Sequence, residues 1–357
     1  MSRELWKGNE AIAEAAVRAG CKAFFGYPIT PQSEIPEYLS KRLPEVGGWF
    51  VQAESEVSAI NMVYGAAGAG TRVMTSTSGP GFSLKQEGIS FLCGSQLPAV
   101  IVDVMRGGPN LGTIGPAQAD YFQATRGGGH GDYRTVVLAP CSIQEAADMM
   151  QEAFDIADQY RNPVILLADG MIGQMMEPIE WHERTGRTLP EKTWATDGHE
   201  NKKPHRTIAA VFGDNYVCEQ TLNIPLHEKY EKIAAAEVRW QEKYIDGAEV
   251  VIVAYGTMSR ISDKVCRMLA EEGISAGLFR PITLWPYPEQ RLHEIAALEH
   301  VKQIVTVEMS DGQMLDDVRI SVGGQKPVSF VGRMGGVVPT PEEIIAAVKN
   351  ALSGGRK

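Results

Sequence analysis

The chain has 357 residues, 44% of them hydrophobic and 22% charged, enough to bury a sizeable core in two or three domains of an ordinary soluble protein. Its formal net charge of -10 argues against nucleic acid as the main partner, because phosphate binding needs a basic footprint, so an acidic substrate must meet local positive charge. Met1 to Gly8 has no apolar h-region and no later stretch reaches about 18 apolar residues, so neither export nor membrane spanning is expected and the cytoplasm is the default.

From Gly8 to about Gly173, short β-rich runs alternate with helical stretches, the pattern of an α/β domain with a mostly parallel sheet. Strands are expected at Ala23 to Tyr27, Trp49 to Gln52, Val73 to Thr77, Ala99 to Asp103, Thr135 to Ala139 and Pro163 to Ala168. They are mostly continuous apolar runs, as strands buried on both faces require. The helices between them include Glu10 to Ala19, Glu56 to Ala69 and Ile143 to Ala157. A first domain is drawn over 1–181. His182 to Arg206 is charged, proline-containing and aperiodic, and reads as a linker or surface excursion. An amphipathic helix is expected from about Leu226 to Tyr244, completing a connecting segment over 182–246. A second α/β unit over 247–357 then has strands at Val250 to Ala254, Ser275 to Phe279, Gln303 to Val307 and Val328 to Val331, with helices at Ile261 to Glu272 and Pro341 to Leu352.

The five cysteines are scattered with no C-x-x-C pair, which excludes a local zinc or iron–sulfur motif and suits small buried side chains in a reducing compartment. No metal site is expected in this chain.

Ligands of open parallel sheets collect at the carboxyl ends of the strands, and four loops there are unusual. In Gly26-Tyr27-Pro28-Ile29-Thr30-Pro31, Thr30 precedes a helix expected to begin at Pro31, and its hydroxyl either caps that helix or faces a ligand. In Gln52-Ala53-Glu54-Ser55-Glu56, two carboxylates stand at a helix start, where the helix dipole alone would account for them. Thr75-Ser76-Thr77-Ser78-Gly79-Pro80-Gly81 has the composition of a phosphate cradle without the lysine or spacing of a P-loop. In Met105-Arg106-Gly107-Gly108-Pro109, an arginine leaves a buried strand between glycines, placed either to clamp a carboxylate or as a surface charge.

These four loops in this order, with Gly131-Asp132-Tyr133, resemble the pyrimidine-binding subunit of 2-oxoacid:ferredoxin oxidoreductases. Arg280-Pro281-Ile282-Thr283-Leu284-Trp285-Pro286 is similar to the signature of that family's transketolase-carboxyl-terminal-like domain, so the resemblance spans nearly the whole chain. It implies a fold of a thiamine diphosphate pyrimidine-binding domain followed by a second α/β domain. It also implies that Glu56 contacts N1′ of the thiamine aminopyrimidine, where a shared proton favours the imino tautomer whose N4′ can deprotonate C2. Such a carboxyl must be kept from water, and burial by a partner subunit is expected to supply this against the helix dipole. Glu54 is the local rival, and the motif register favours Glu56.

The resemblance further implies that Thr30 and Arg106 hold the 2-oxoacid, with Tyr27 beside them, and that Thr77, Ser78 and Gly79 lie near the cofactor. His130, Asp132 and Tyr133 read as a structural turn. Missing is the Gly-Asp-Gly followed by an Asn pair that binds Mg²⁺ and the diphosphate, and missing too are grouped cysteines for a cluster. Thiamine diphosphate is therefore expected to be shared with a beta subunit carrying the diphosphate and Mg²⁺ site, and iron–sulfur clusters are expected in that or another subunit. The implied reaction converts a 2-oxoacid and coenzyme A to acyl-CoA and CO2 while reducing ferredoxin. The likeness is nearest to subunits acting on branched 2-oxoacids, 3-methyl-2-oxobutanoate in particular, with 2-oxoglutarate next. A thiamine-dependent decarboxylase or transketolase-like protein without electron transfer, or a non-catalytic assembly module, would use the same residues differently.

Overall fold

The computed structural model of the chain describes residues 3–182, 187–198, 204–208 and 213–354. Strand β1 (Glu4–Lys7) leads into α1 (Gly8–Arg18), followed by β2 (Ala23–Gly26), α2 (Glu34–Glu45), β3 (Trp49–Gln52), α3 (Glu56–Gly68), β4 (Val73–Thr77), α4 (Pro80–Gly94), β5 (Val100–Met105) and α5 (Tyr121–Thr125). The first half ends with β6 (Val136–Leu138), α6 (Ile143–Tyr160), β7 (Val164–Asp169), α7 (Gly170–Gln174) and β8 (Met176–Ile179). Then come α8 (Asn215–Cys218), a π-helical turn over Glu219–Asn223, α9 (Ile224–Glu237), β9 (Trp240–Lys243), β10 (Val250–Val253), α10 (Gly256–Glu271), β11 (Ala276–Pro281) and β12 (Thr283–Trp285). The chain closes with α11 (Glu289–Ala297), β13 (Gln303–Glu308), α12 (Gln313–Val322), β14 (Val328–Gly332) and α13 (Pro341–Leu352).

The larger sheet has the order β12-β6-β7-β5-β4-β2-β3 and is parallel except for β12. The smaller has the order β14-β13-β10-β11-β9 and is parallel except for β9. The α/β class expected from the alternating pattern therefore holds for both halves. The central strands β4, β5 and β7 are buried along their whole length, which is why they read as unbroken apolar runs.

Two local expectations fail. The helix expected to run to Tyr244 stops at Glu237, and Trp240–Lys243 instead forms β9, antiparallel to β11. The Trp240 indole donates to Glu242 two residues on, and Arg291 of α11 holds the same carboxylate at 2.7 and 3.0 Å, so strand pairing and this helix-to-strand ion pair override helical propensity. Helix α2 begins at Glu34, not Pro31. The Pro31 carbonyl is taken by Asn9 Nδ2 at 2.7 Å and Gln174 Nε2 at 2.8 Å, and the Ile35 amide goes to Gln32 rather than to Pro31. Thr30 is therefore not the cap of that helix.

The division at 246/247 is crossed in both directions, since β9 precedes it yet belongs to the smaller sheet, and β12 follows it yet pairs with β6. Part of the connecting segment, 183–186, 199–203 and 209–212, lies outside the described residues. In its described part, Arg187 donates to Gln159 and Lys192 pairs with Asp158, so it lies against the first half. One buried cluster runs from Val63 and Phe82 through Tyr121 and Tyr255 to Phe279 and Ile304, which makes the two halves one packed body. Polar ties reinforce it. Arg280, 1% exposed, makes a two-pronged pair with Glu145 at 2.7 and 2.8 Å. Asp169 caps α7 through the Met171 and Ile172 amides and also accepts from the Thr257 amide and hydroxyl at the start of α10. Gln118 reaches the Tyr255 carbonyl with its amide and both backbone groups of Met309. Among the described residues no helix is long and apolar enough to cross a membrane.

Candidate active site

From β2 the chain runs outward to β3 at the sheet edge and then returns to β4 on the other side of β2. The loops leaving β2 and β4 thus diverge, and a crevice opens at the carboxyl end of the sheet, the place where open α/β folds bind ligands.

The β2 loop is pinned rather than free. Besides the two side chains on the Pro31 carbonyl, the Gln32 side chain is buried and accepts from the Ser76 hydroxyl of β4 at 2.5 Å. Arg106, at the end of β5, donates from Nη1 to the Thr30 carbonyl at 2.8 Å and from Nη2 to the Leu111 carbonyl at 2.8 Å. Residues 76 positions apart are thereby joined. The fork expected to clamp a carboxylate is spent on two loop carbonyls, while the buried Nε has no partner. Tyr27 and Thr30 are exposed at the mouth of the crevice.

The β4 loop lies against the same arginine. Gly79 has φ of +43°, a conformation that favours glycine, and a Cβ there would come within 3.5 Å of the Arg106 side chain. The hydroxyls of Thr77 and Ser78 are buried and unpartnered.

Glu56 opens α3 behind the Ser55 cap, whose hydroxyl accepts from the Ser58 amide at 3.2 Å. Only 7% of Glu56 is exposed. Much of this burial comes from the chain itself, through α4. A Cβ at Gly81 would stand 2.5 Å from Glu56 Oε1 and 2.4 Å from Thr77 Oγ1, so glycine is what lets α4 close over both groups. The Glu56 carboxylate accepts no hydrogen bond from the described residues. Glu54 is exposed, and the hydroxyl of Ser58 bonds to it and holds its carboxyl below the usual range. The two carboxylates that the sequence left side by side are thus sharply different groups.

At the carboxyl end of the sheet the structure thus joins Thr30 and Gly79 to Arg106 and sets Glu56 and Thr77 together against Gly81, with the Ser78 hydroxyl buried between the two groups in sequence and Tyr27 exposed on the Thr30 loop. Tyr133 is not part of this arrangement, since its hydroxyl accepts from the Gly128 and Gly129 amides and donates to Gln86 Oε1. His130 and Asp132 are exposed on the same turn. Three charged residues at strand ends of the smaller sheet, Arg280 of β11, Glu308 of β13 and Arg333 after β14, are engaged structurally. Arg333 pairs with Glu343, and Glu308 accepts from the Met314 and Leu315 amides at the start of α12, with burial pushing its carboxyl up to about 7.

Sequence reading missed three groups here. Asp103 of β5 and Asp120 before α5 face each other beneath the Gly79 amide, and burial raises both, Asp120 to about 6. The signal was an acidic residue inside the otherwise apolar run Val100–Met105. Lys85 of α4 is also buried, beside Glu56.

Unpartnered buried hydroxyls, a solitary buried carboxylate and a glycine that clears space beside it fit a flat, polar-edged heterocycle such as an aminopyrimidine. The sequence profile described as pyruvate flavodoxin/ferredoxin oxidoreductase, thiamine diphosphate binding, matches residues 14–241, and the pyruvate:ferredoxin oxidoreductase core domain II matches 248–344. The chain belongs to the 2-oxoacid:ferredoxin oxidoreductase family.

Within that family, the ketoisovalerate oxidoreductase subunit VorB of Methanothermobacter thermautotrophicus is 49% identical over 98% of this chain and 98% of its own length. The 2-oxoglutarate synthase subunit KorA of Methanocaldococcus jannaschii is 36% identical over 98% of this chain and 100% of its own. Among solved structures, the 2-oxoglutarate:ferredoxin oxidoreductase from Magnetococcus marinus, with 2-oxoglutarate, coenzyme A and succinyl-CoA bound, is 28% identical with a TM-score of 0.86. This chain is covered to 98% and spans 65% of that longer chain. The protein is thus an oxidoreductase subunit of a thiamine diphosphate-binding family, one that works with other subunits.

Proposed function

We propose that this subunit supplies the cofactor-activating carboxylate and part of the 2-oxoacid pocket of an enzyme that turns 3-methyl-2-oxobutanoate and coenzyme A into acyl-CoA, CO2 and reduced ferredoxin. The observation that carries the proposal is the crevice, where a buried glutamate, two free hydroxyls and an arginine-held threonine loop converge from separate strands. Glu56 would meet N1′ of the aminopyrimidine, and Thr77, Ser78 and Gly79 would border the ring. When bound, thiamine diphosphate supplies a stabilised carbanion equivalent at the carbon that attacks a 2-oxoacid. The chain's own part is to place the Glu56 carboxyl where it can share a proton with the ring nitrogen, and to present Thr30 to the substrate carboxylate on a loop held by Arg106, whose positive charge favours that anion, with Tyr27 at the entrance.

Substrate choice is argued from the cleft of about 980 Å³ beside Arg106, whose walls include Leu84, Leu111, Met309 and Met334. A branched aliphatic side chain suits that surface better than a second carboxylate does. The similarity to VorB supports the same ranking, and the similarity to KorA makes 2-oxoglutarate the second reading. Among the described residues no cluster of metal-ligating side chains occurs. On the missing Gly-Asp-Gly and Asn motif and the ungrouped cysteines, the Mg²⁺ and diphosphate site is proposed for a beta subunit and the iron–sulfur clusters for that or another subunit. The exposed Trp49 and Val51 on edge strand β3, with Val57 and Met62 on α3 and Leu84 and Phe91 on α4, offer such a subunit an apolar face. Five unpaired cysteines support action in a reducing cytoplasm.

The test is Glu56→Gln in the complex assembled with its companion subunits. Oxoacid-dependent reduction of ferredoxin should fall by about a hundredfold or more. Full activity in that variant would overturn the assignment, and kcat/KM favouring 2-oxoglutarate would overturn the substrate choice.

A further inference from the structure

Lys85 is fully buried on α4, four residues or about one helical turn beyond Gly81, and so lies on the face that Gly81 presents to Glu56. Its Nζ donates to the backbone carbonyl of Glu56 at 3.4 Å, its one hydrogen bond among the described residues, although an ammonium carries three donors. A cation taken out of water with so few partners is costly, and an apolar residue would fill the same groove between α3 and α4 without that cost. Packing therefore does not account for the charge.

Its surroundings narrow the choice. From α3 comes Glu56, the charged side chain that acts on it, while Glu54 lies outside on the surface. From α5 comes Tyr121, whose hydroxyl is turned to Asp317, with Asp120 at the cap facing Asp103. Tyr133 is engaged with Gln86 and the glycine turn, β4 brings only hydroxyls, and Glu87 points away on the exposed side of α4.

We propose that Lys85 is a positioning residue for Glu56: its ammonium ties down the first turn of α3 and provides the counter-charge that keeps the carboxylate where a ring nitrogen can meet it. This rests on the reading of Glu56 given above. It assigns no contact with substrate to Lys85. The carboxylate and the ammonium would act as a buried pair whose second member is supplied by the neighbouring helix. Burial lowers the Lys85 ammonium to about 8, so the counter-charge is present at neutral pH and is lost as the solution becomes mildly alkaline.

The experiment compares the wild-type complex with Lys85→Met, Lys85→Arg and Glu56→Gln. Near-ultraviolet circular dichroism of bound thiamine diphosphate, which distinguishes its amino and imino tautomers, is followed against pH together with kcat and cofactor affinity. In Lys85→Met, kcat should fall by about tenfold or more, the tautomer transition should move from its wild-type position, and the alkaline limb near 8 should disappear. Lys85→Arg should restore kcat in part and carry the alkaline limb upward. Tautomer and kcat profiles that coincide with wild type in Lys85→Met would overturn the proposal, as would equal loss of stability in both lysine variants with unmoved limbs. If methionine is not tolerated, Lys85→Gln makes the same comparison. Because Glu56→Gln is measured alongside, full activity in that variant marks failure of the underlying reading, whereas an inactive Glu56→Gln beside a normal Lys85→Met marks failure of this inference alone.

Discussion

Replacing Gly81 by alanine adds a single methyl group at the closest approach in the site. The new Cβ would stand 2.4 Å from Thr77 Oγ1 and 2.5 Å from Glu56 Oε1. Ordinary contact would require the carboxylate to retreat by about 1 Å. Two effects compete. Alanine in the first turn of α4 gains about 1 kcal/mol of helix propensity, and overpacking a full site costs roughly 1–3 kcal/mol. The net loss of stability is therefore small, about 1 kcal/mol, but it is concentrated on the one group whose placement matters for chemistry. A misplacement of about 1 Å can cost about a hundredfold in rate. The expected result is a melting temperature within a few degrees of wild type and kcat lower by one to two orders of magnitude, on the order of 2 kcal/mol in the barrier. Calorimetry and oxoacid-dependent dye reduction on the same assembled complex would measure both. A Gly81→Ala variant that is more stable than wild type and equally active would show that α4 does not close on Glu56, and the geometry argued above would fall.

Two further predictions concern the frame. Glu308 has its folded-state value raised to about 7 by burial, so the stability tied to its protonated form is fully present below its unfolded value of about 4.3 and is lost as pH rises through 7, by on the order of 3 kcal/mol. Urea titrations at pH 5 and pH 8 should show this difference shrinking in Glu308→Gln, and an unchanged pH dependence would refute it. Arg280→Met should strand Glu145 at the contact between the halves and lower stability by about 3 kcal/mol, read as an earlier thermal transition. A transition at the wild-type temperature would mean that the pair is replaced by solvent.

The central strands were legible because both their faces are covered, which turns the sequence into continuous apolar runs. The strands that escaped notice, β1, β8, β9 and β12, are three or four residues long and antiparallel, and their pattern carries charged or polar residues that look like loop or helix surface. The start of α2 was misplaced because the carbonyl that would have opened it at Pro31 is claimed by side chains from α1 and α7, a contact between residues distant in sequence. Glu56, Thr30 and Arg106 could be named from loops at strand ends and from motif register. What could not be read was that Arg106 holds Thr30 through its backbone, because the side chain would look the same if it faced only a ligand. Lys85 was hidden for a different reason. A lysine in a helix with glycine and serine ordinarily reads as a solvated face, and only its four-residue spacing from Gly81 would have placed it toward Glu56.

The strand exchange between the halves limits how the molecule can move. With β12 hydrogen-bonded into the larger sheet and β9 in the smaller, the chain crosses between sheets like lacing. A hinge opening of one half from the other would have to unzip a strand at each crossing and break the Arg280 pair as well. Large ligands must therefore enter the cleft beside Arg106 from its open side, past Leu111, which is exposed in the long loop between β5 and α5, without the halves parting.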